Sequence, residues 1–119
     1  MKYILAADDE AINRDILGEI LEDDYEIKCV NDGVECIKCI EERMPDLLLL
    51  DVGMPVMNGI EVCKVLRKNE STKGLPVILL SGYADSDNIN AGMAAGADEY
   101  LAKPFPPLEL LDAIKKYLS

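Results

Sequence analysis

The stretch Leu47-Leu48-Leu49-Leu50-Asp51 decides the fold class of this chain. Four consecutive leucines without polar alternation are typical of a strand that is covered on both faces, as central strands of parallel sheets are. Turn-forming residues follow the aspartate and end the strand, namely Gly53, Pro55, Asn58 and Gly59. The pattern places Asp51 at the carboxyl end of a buried parallel strand, where open α/β folds carry their chemistry. Taken alone, Asp51 could also be an ordinary loop residue that caps the next helix.

Strand and helix patterns alternate along the whole chain. Strands are predicted at residues 2–7, 25–30, 47–50, 76–80 and 99–102, and helices at residues 11–21, 33–43, 60–68, 85–95 and 107–118. Five strands that are each followed by a helix predict an α/β fold, with a five-stranded parallel sheet doubly wound by five helices in the flavodoxin-like arrangement. Right-handed crossovers make 2-1-3-4-5 the expected strand order. The length of 119 residues suits one domain spanning residues 1–119.

Helical spacing also predicts which residues face the core. In the first helix these are Ile12, Ile16, Leu17, Ile20 and Leu21, and in the second they are Val34, Ile37, Ile40 and Met44. The second helix also carries Cys36 and Cys39 as a C-x-x-C pair. A zinc site would need another close pair, but Cys29 and Cys63 lie singly in other elements. We therefore expect four reduced thiols that act as small core or near-core residues.

The charge and composition of the chain exclude several classes of function. Lysine and arginine number 12 against 23 acidic residues, so the net charge is −11. Direct binding to nucleic acid or to an anionic membrane surface needs a basic footprint, and we expect neither. The chain contains no histidine, so a histidine nucleophile or metal ligand would have to come from a partner. No apolar run approaches the ~20 residues of a membrane span, and the start does not resemble a signal peptide, so we expect a cytoplasmic location.

Acidic residues are expected to gather at the point where the winding of the sheet reverses, between strands one and three. The loops there hold Asp8, Asp9 and Glu10 after the first strand and Asp51 after the third. Two unit charges about 4 Å apart repel by ~4 kcal/mol at an effective dielectric constant of roughly 20. A hard divalent cation such as Mg2+ would offset this repulsion, because it binds carboxylate oxygens. Glu10 is expected instead to cap the first helix, since acids favour the first turn.

A hydroxyl and an ammonium follow two other strands at the same edge. Ser81 comes after the fourth strand and Lys103 after the fifth. Beside a metal-bound carboxylate they would form a pocket for a phosphoryl group on Asp51, and carboxylates are known nucleophiles for aspartyl-phosphate formation. Phosphoryl transfer needs mainly positioning and charge stabilisation, which these groups could supply. The alternative for Lys103 is an ordinary surface charge.

Five motifs together resemble the receiver domain of two-component response regulators. They are Asp8-Asp9-Glu10, Asp51-x-x-Met54-Pro55-x-x-Asn58-Gly59, Ser81-Gly82-Tyr83-Ala84, Gly96-Ala97-Asp98-Glu99-Tyr100 and Lys103-Pro104-Phe105. The resemblance covers essentially the whole chain, and the motifs are specific as a set. It implies that Asp51 accepts a phosphoryl group from a phosphohistidine of a sensor histidine kinase or a histidine phosphotransfer protein.

The resemblance also implies roles for the residues around the phosphoacceptor. Asp9 would bind Mg2+ directly together with Asp51, Asp8 would act largely through water, and the backbone carbonyl of Gly53 would complete the protein ligands. Mn2+ can take the place of Mg2+ in such a site. Glycine at position 53 is a departure from the family pattern, because it removes a side chain that is expected to tune dephosphorylation.

Further implied roles concern the signal. Ser81 and Lys103 would hold the phosphoryl oxygens, and the peptide bond before Pro104 would be cis. Tyr100 would be the aromatic switch, whose side chain passes from exposed to buried. The segment from Asp85 to Gly92 is poor in helix formers, which predicts a weakly stable fourth helix that a modest energy can shift. The signal would then pass to a downstream protein or output domain through the surface of the fourth helix, fifth strand and fifth helix. The chain would be a regulatory protein whose catalysis is limited to its own phosphoryl transfer and autodephosphorylation.

Three other functions fit parts of this pattern. An aspartate-nucleophile phosphatase of the haloacid dehalogenase type needs a second aspartate two residues after the nucleophile, where this chain has Gly53. A flavodoxin-like FMN protein needs an acid-free phosphate loop and aromatic walls, but tryptophan is absent and Phe105 is the one phenylalanine. A receiver-shaped module that is never phosphorylated would not need the complete set of acids, Ser81 and Lys103.

Overall fold

The computed structural model describes residues 1–83 and 85–118, which form a five-stranded parallel sheet with helices on both faces. The strands are β1 (Tyr3–Ala7), β2 (Glu26–Val30), β3 (Leu47–Asp51), β4 (Val77–Ser81) and β5 (Glu99–Ala102). The helices are α1 (Ala11–Leu21), α2 (Gly33–Glu42), α3 (Gly59–Lys68), α4 (Ser86–Ala94) and α5 (Pro107–Leu118). The strand order β2-β1-β3-β4-β5 confirms the predicted fold. Ala84 of the fourth-strand motif and Ser119 at the end of the predicted domain lie outside the described residues.

The central strands are buried on both faces, which explains their lack of polar alternation. Every residue of β1, β3 and β4 is buried. Leu48 and Leu50 point into a core that α2 and α3 cover, whereas Leu47 and Leu49 point into a second core covered by α1 and α5. Because the two faces are equally dry, β3 can carry leucine at each of these four positions.

The core-facing side of α1 is narrower than the sequence predicts. Leu17 and Leu21 are buried and Ile20 is partly buried, but Ile12 and Ile16 are 66% and 40% exposed. At 3.6 residues per turn, Ile12 lies roughly 140° around the helix axis from Leu17, so both cannot face the sheet. The predicted burial of Ile12 and Ile16 is wrong, and α1 presents two isoleucines to solvent.

The cysteines serve as core residues of the helices and of an edge strand. Cys36, Cys39 and Ile40 make the buried side of α2, whereas the predicted Val34 and Met44 are exposed. All four cysteines are free, and three are buried, with Cys29 half-buried. Burial raises the pKa of the Cys36 thiol to about 12, so this thiol stays protonated and unreactive at neutral pH.

Gly92 allows α4 to pack closely on the sheet. A Cβ atom at this position would lie 2.8 Å from Cδ1 of Leu79 and 2.9 Å from the ring of Tyr100. Although alanine forms helices better than glycine by ~1 kcal/mol, overpacking of a core typically costs about 1–3 kcal/mol. We therefore expect Gly92→Ala to lower the free energy of unfolding, measured by urea denaturation.

Gly18 of α1 supplies the control for this substitution. No neighbouring atom lies within 4 Å of the position that a Cβ atom would take there. Gly18→Ala is therefore expected to raise the free energy of unfolding by about 0.5–1 kcal/mol. If Gly92→Ala raised stability as Gly18→Ala does, close packing of α4 over Tyr100 would be contradicted.

Candidate phosphoacceptor site

A cleft opens at the carboxyl edge of the sheet, beside the end of β3. Its volume is about 600 Å³, and its lining residues are Glu10, Asn13, Asp51, Gly53, Ser81, Gly82, Tyr83, Lys103 and Pro104. Asp51 ends β3, Ser81 ends β4, and Lys103 follows β5. Parallel strands bring their carboxyl ends to one edge, so the topology places these side chains around one cleft.

Lys103 joins two acids that are far apart in the sequence. Its Nζ lies 2.9 Å from Oδ2 of Asp8 and 2.9 Å from Oδ1 of Asp51, at sequence separations of 95 and 52 residues. The side chain of Lys103 is only 15% exposed, and Asp8 is fully buried. Lys103 is therefore an internal counter-charge for the two acids rather than a surface lysine. The peptide bond that joins Lys103 to Pro104 is cis.

The protonation of Lys103 follows from these contacts. Burial alone would lower the pKa of the ammonium, but the hydrogen bonds and charges of Asp8 and Asp51 outweigh it, so the pKa is raised. The stability that this charge contributes is present below the unfolded pKa of about 10.4 and is lost only as the pH rises through the higher folded pKa. Lys103 remains a cation throughout the neutral range.

Three acids stand close together at the start of α1. Carboxylate oxygens of Asp8, Asp9 and Glu10 lie within 4.8 Å of one another. Asp8 is held by the backbone N–H of Glu10, which donates to its Oδ1 at 3.0 Å. Glu10 stands at the N-cap position of α1, but its side chain makes no capping hydrogen bond and lines the cleft instead. The expectation that Glu10 caps the helix is therefore wrong.

Asp51 is oriented by contacts to one of its two oxygens. Lys103 and the backbone N–H of Gly53 both donate to Oδ1, the latter at 3.2 Å. A Cβ atom added to Gly53 would have a single neighbour within 4 Å, Oδ1 of Asp51 at 3.9 Å. Glycine at position 53 is thus not required by packing, and it keeps the side of the cleft beside Asp51 free of a side chain.

Hydrogen bonds run from Ser81 through Tyr83 to β5. The backbone N–H of Tyr83 donates to Oγ of Ser81 at 2.9 Å, and the hydroxyl of Tyr100 donates to the carbonyl of Tyr83 at 2.6 Å. The expected switch begins with an exposed Tyr100 side chain. In the structure this side chain is half-buried against α4. The sequence assigned no individual role to Tyr83, whose signal was its place in the Ser81-Gly82-Tyr83-Ala84 motif.

The donor set of the cleft fits a hard divalent cation. Carboxylate oxygens and backbone carbonyls are the ligands that Mg2+ and Mn2+ prefer, and Asp9 and Glu10 are exposed to solvent beside buried Asp8. Asp8 and Asp51 share Lys103, so part of the repulsion expected from the sequence is already offset within the chain. Asn13 also lines the cleft, about one helical turn after Glu10, and no motif in the sequence marks it.

Comparison with known proteins identifies the family. The sequence profile of the response regulator receiver domain matches residues 4–115. The chain belongs to this family. The receiver domain is 36% identical to the DNA-binding response regulator MtrA of Mycobacterium tuberculosis over 116 residues, which are 97% of this chain and 50% of MtrA. It spans about half the length of the curated relatives that it matches.

Solved structures agree with this assignment. A Chloroflexus aurantiacus protein described as a response regulator superimposes with a TM-score of 0.94 and 36% identity, covering 98% of this receiver domain and 97% of that chain. The receiver domain of the sensor histidine kinase PA1611 from Pseudomonas aeruginosa superimposes with a TM-score of 0.90 and 27% identity, covering 98% and 96%. The PA1611 structure has a magnesium ion coordinated in its active site cleft.

Family membership argues against the phosphatase and flavin-binding alternatives, because the match covers almost the whole receiver domain.

None of the helices in residues 1–83 and 85–118 combines the length and the apolarity needed to cross a bilayer. The cytoplasmic location expected from the sequence stays a prediction.

Proposed function

We propose that this receiver domain is a phosphorylation-dependent switch that accepts a phosphoryl group on Asp51. The donor is a phosphohistidine of a sensor histidine kinase or a histidine phosphotransfer protein. The observation that carries the proposal is the position of Asp51 at the end of β3, in an open cleft and 2.9 Å from the buried ammonium of Lys103. A carboxylate held beside a fixed cation is placed to receive a dianionic group.

The transfer exchanges one bond to phosphorus for another. An oxygen of Asp51 attacks, the O–P bond forms, the N–P bond of the phosphohistidine breaks, and the imidazole leaves with the electron pair. Because Lys103 and Gly53 both bond to Oδ1, we assign the attack to Oδ2. Lys103 then neutralises a phosphoryl oxygen, and the hydroxyl of Ser81 donates a hydrogen bond to another.

Asp9, Asp51 and the backbone carbonyl of Gly53 would hold Mg2+, or Mn2+ in its place, with Asp8 acting through water. When bound, this cation would neutralise charge on the phosphoryl oxygens. The close grouping of Asp8, Asp9 and Glu10 supports this assignment. The catalysis is confined to the domain's own phosphoryl transfer and autodephosphorylation, so we regard it as a regulatory protein.

The signal would leave through the surface of α4, β5 and α5 toward a downstream protein or an output domain. If the hydroxyl of Ser81 turns to the phosphoryl group, its bond to the N–H of Tyr83 is weakened, and the Tyr83 carbonyl that holds Tyr100 moves with it. Tyr100 packs against Gly92, so this movement reaches α4 directly. A coupling free energy of about 1–3 kcal/mol between phosphorylation of Asp51 and the position of α4 would suffice to change the preferred position of this helix.

Incubation with Mg2+ and phosphoramidate, followed by intact mass spectrometry, tests the proposed function. We expect one phosphoryl increment that depends on Mg2+ and is removed by hydroxylamine, as an acyl phosphate is. Absence of an increment with any small donor would favour the module that is never phosphorylated.

Asp9 provides a test of the metal assignment. Lys103 reaches Asp8 and Asp51 but not Asp9, which is exposed. Asp9→Asn should raise the metal-free free energy of unfolding by about 1 kcal/mol, because it relieves like-charge repulsion. At [Mg2+] about 100 times Kd, Mg2+ should stabilise the parent by ~2.7 kcal/mol and the variant far less.

The control for Asp9→Asn is Asp15→Asn, which removes the same charge from an exposed position on α1 outside the cleft lining. Urea midpoints measured with and without Mg2+ give the metal-free stability of each variant and its stabilisation by Mg2+. Equal stabilisation of the parent and Asp9→Asn by Mg2+ would exclude Asp9 as a ligand.

The exposed isoleucines of α1 would form part of the surface to which the phosphodonor protein binds. Ile12 stands next to Asn13 of the cleft lining and is 66% exposed, so an apolar residue of the donor can cover it during transfer. We expect Ile12→Ser to slow transfer from a phosphohistidine protein by about tenfold, equivalent to ~1.4 kcal/mol, while the rate with phosphoramidate stays unchanged. Val65→Ser on α3 is the matched control, because Val65 is exposed but lies away from the cleft lining. Equal rates for both variants would remove α1 from the docking surface.

A further inference from the structure

The C-terminal end of α4 is closed by a compact backbone motif. The N–H of Gly96 donates to the carbonyl of Met93 at 3.0 Å, and the N–H of Ala97 donates to the carbonyl of Gly92 at 3.3 Å. Gly96 has a φ of 108°, in the region that favours glycine. These two bonds are those of a Schellman motif, which satisfies the last carbonyls of a helix.

Arg67 at the end of α3 ties this motif to the neighbouring loops. Its Nε donates to the carbonyl of Gly96 at 2.8 Å, and its Nη1 donates to the carbonyl of Leu75 at 2.8 Å. Its Nη2 lies 3.0 Å from Oδ2 of Asp98. The arginine side chain is only 18% exposed, so its bonds to the carbonyls of Gly96 and Leu75 are largely protected from water.

Asp98 extends the same network to the start of β4. Its Oδ2 also accepts the N–H of Val77 at 2.9 Å, and its own N–H donates to the carbonyl of Val77 at 2.9 Å. A Cβ atom on Gly96 would lie 2.5 Å from Cγ of Arg67, so the arginine stem leaves no space there. One guanidinium therefore fixes the end of α3, the segment before β4 and the segment between α4 and β5 relative to one another.

The N-terminal end of α4 has no comparable support among the described residues. Asp85 stands at the N-cap, where its exposed side chain accepts the side-chain amide of Asn88. Ser86 and Asp87 are exposed, Asn88 and Ile89 are half-buried, and the buried residue of the helix is Gly92, in its last turn. Short helices with little buried area are stabilised mainly by their tertiary contacts, and the one buried residue among the described residues of α4, Gly92, lies near its C-terminal end.

We infer that Arg67 anchors the C-terminal end of α4 and that α4 moves by opening at its N-terminal end. The helix then pivots about the segment from Ala95 to Ala97, and its free end is the one next to Tyr83 and the cleft. The anchoring is a property of the resting chain and goes beyond the proposed function. Only the claim that phosphorylation is what moves the N-terminal end of α4 rests on the proposed function.

Amide hydrogen exchange of the chain without added ligands tests the anchoring. The N–H of Ile89, bonded to the carbonyl of Asp85, reports on the free end, and the N–H of Ala97 reports on the anchored end. We expect Ala97 to exchange at least roughly tenfold more slowly than Ile89, relative to their intrinsic rates. Equal protection at the two amides would overturn the inference.

Arg67→Lys identifies the cause of the difference. Lysine keeps the charge but cannot reach all four acceptors of Arg67, which are the carbonyls of Gly96, Thr72 and Leu75 and the carboxylate of Asp98, because it lacks the planar fork of donors. The protection of Gly96 and Ala97 should fall by about tenfold or more toward that of Ile89, while the protection of Ile89 changes little. Loss of protection at Ile89 as large as at Ala97 would show a general loosening and contradict the inference.

The matched control is Arg43→Lys. Arg43 bonds to Glu26 on β2, and its side chain is 57% exposed, so the same substitution there should leave α4 unchanged. If Arg67→Lys does not fold, Asp98→Asn replaces it, because asparagine can still accept the N–H of Val77 but loses the ion pair with Arg67. That variant should also lower protection at Ala97 selectively, and unchanged protection would count against the anchor.

Adding Mg2+ and beryllium fluoride to the parent chain separates this inference from the proposed function. We expect faster exchange at Ile89 and unchanged exchange at Ala97. A change of equal size at both amides would contradict the pivot. No change at any amide would count against the proposed function, while the measurements on the chain without ligands would still decide whether Arg67 anchors α4.

Discussion

Asp51→Asn is expected to abolish phosphoryl uptake from phosphoramidate. The amide oxygen is neutral and a far weaker nucleophile than a carboxylate, whereas it can still accept the bonds that Lys103 and Gly53 donate to Oδ1. The variant should therefore fold and yet show no phosphoryl increment by intact mass spectrometry. Ser81→Ala should slow the reaction without moving the modified residue, because Ser81 would act on the phosphoryl oxygens and not as the acceptor.

Two controls make this result specific. Asp15→Asn removes one negative charge from α1 outside the cleft lining and should be phosphorylated at the parental rate. Peptide mapping of the phosphorylated parent should place the group on the peptide that contains Asp51. A phosphoryl group mapped to Ser81, or full modification of Asp51→Asn, would refute Asp51 as the acceptor.

Lys103→Met should have the largest effect on stability. The substitution leaves Asp8, which is fully buried, and Asp51 beside each other without their shared cation. Removing one partner from a buried charge pair typically costs about 3–5 kcal/mol, because the remaining charge is uncompensated. We expect the free energy of unfolding, measured in urea, to fall by an amount in this range. Added Mg2+ should restore part of the loss by supplying another cation.

Lys116→Met is the matched control for that substitution. Lys116 pairs with Glu99 at 2.8 Å, but its side chain is 61% exposed, so water replaces the interaction readily and stability should change little. If Lys103→Met proved as stable as Lys116→Met without Mg2+, the acids of the cleft would have to be neutralised by something other than Lys103.

The presence of Lys103 between Asp8 and Asp51 also changes what is expected of Asp8. The sequence indicated repulsion among the acids, for which a divalent cation was the expected counter-charge. With Asp8 bonded to Lys103 and to the N–H of Glu10, its removal costs contacts as well as relieving repulsion. Asp9, which Lys103 does not reach, is the acid whose removal should stabilise the metal-free chain.

The sequence by itself determined the fold class, the strand order and the positions of the chemical groups along the sheet edge. The four leucines of β3 are a local signal, because a strand that is dry on both faces needs no polar residues. Right-handed crossovers restrict the order of five strands, and turn residues mark where each strand ends. Asp51, Ser81 and Lys103 could be assigned to one edge for this reason alone.

Only the tertiary structure decided which groups touch. The bond between Lys103 and Asp8 spans 95 residues, and no local pattern encodes it. The same holds for the exposed side of α1 with Ile12, for the Glu10 side chain that does not cap α1, and for the bond of Arg67 to Gly96. Periodicity shows that a helix has an apolar side, but the angle at which it meets the sheet depends on every element packed around it, so its exposed residues and long-range bonds emerge only in the folded chain.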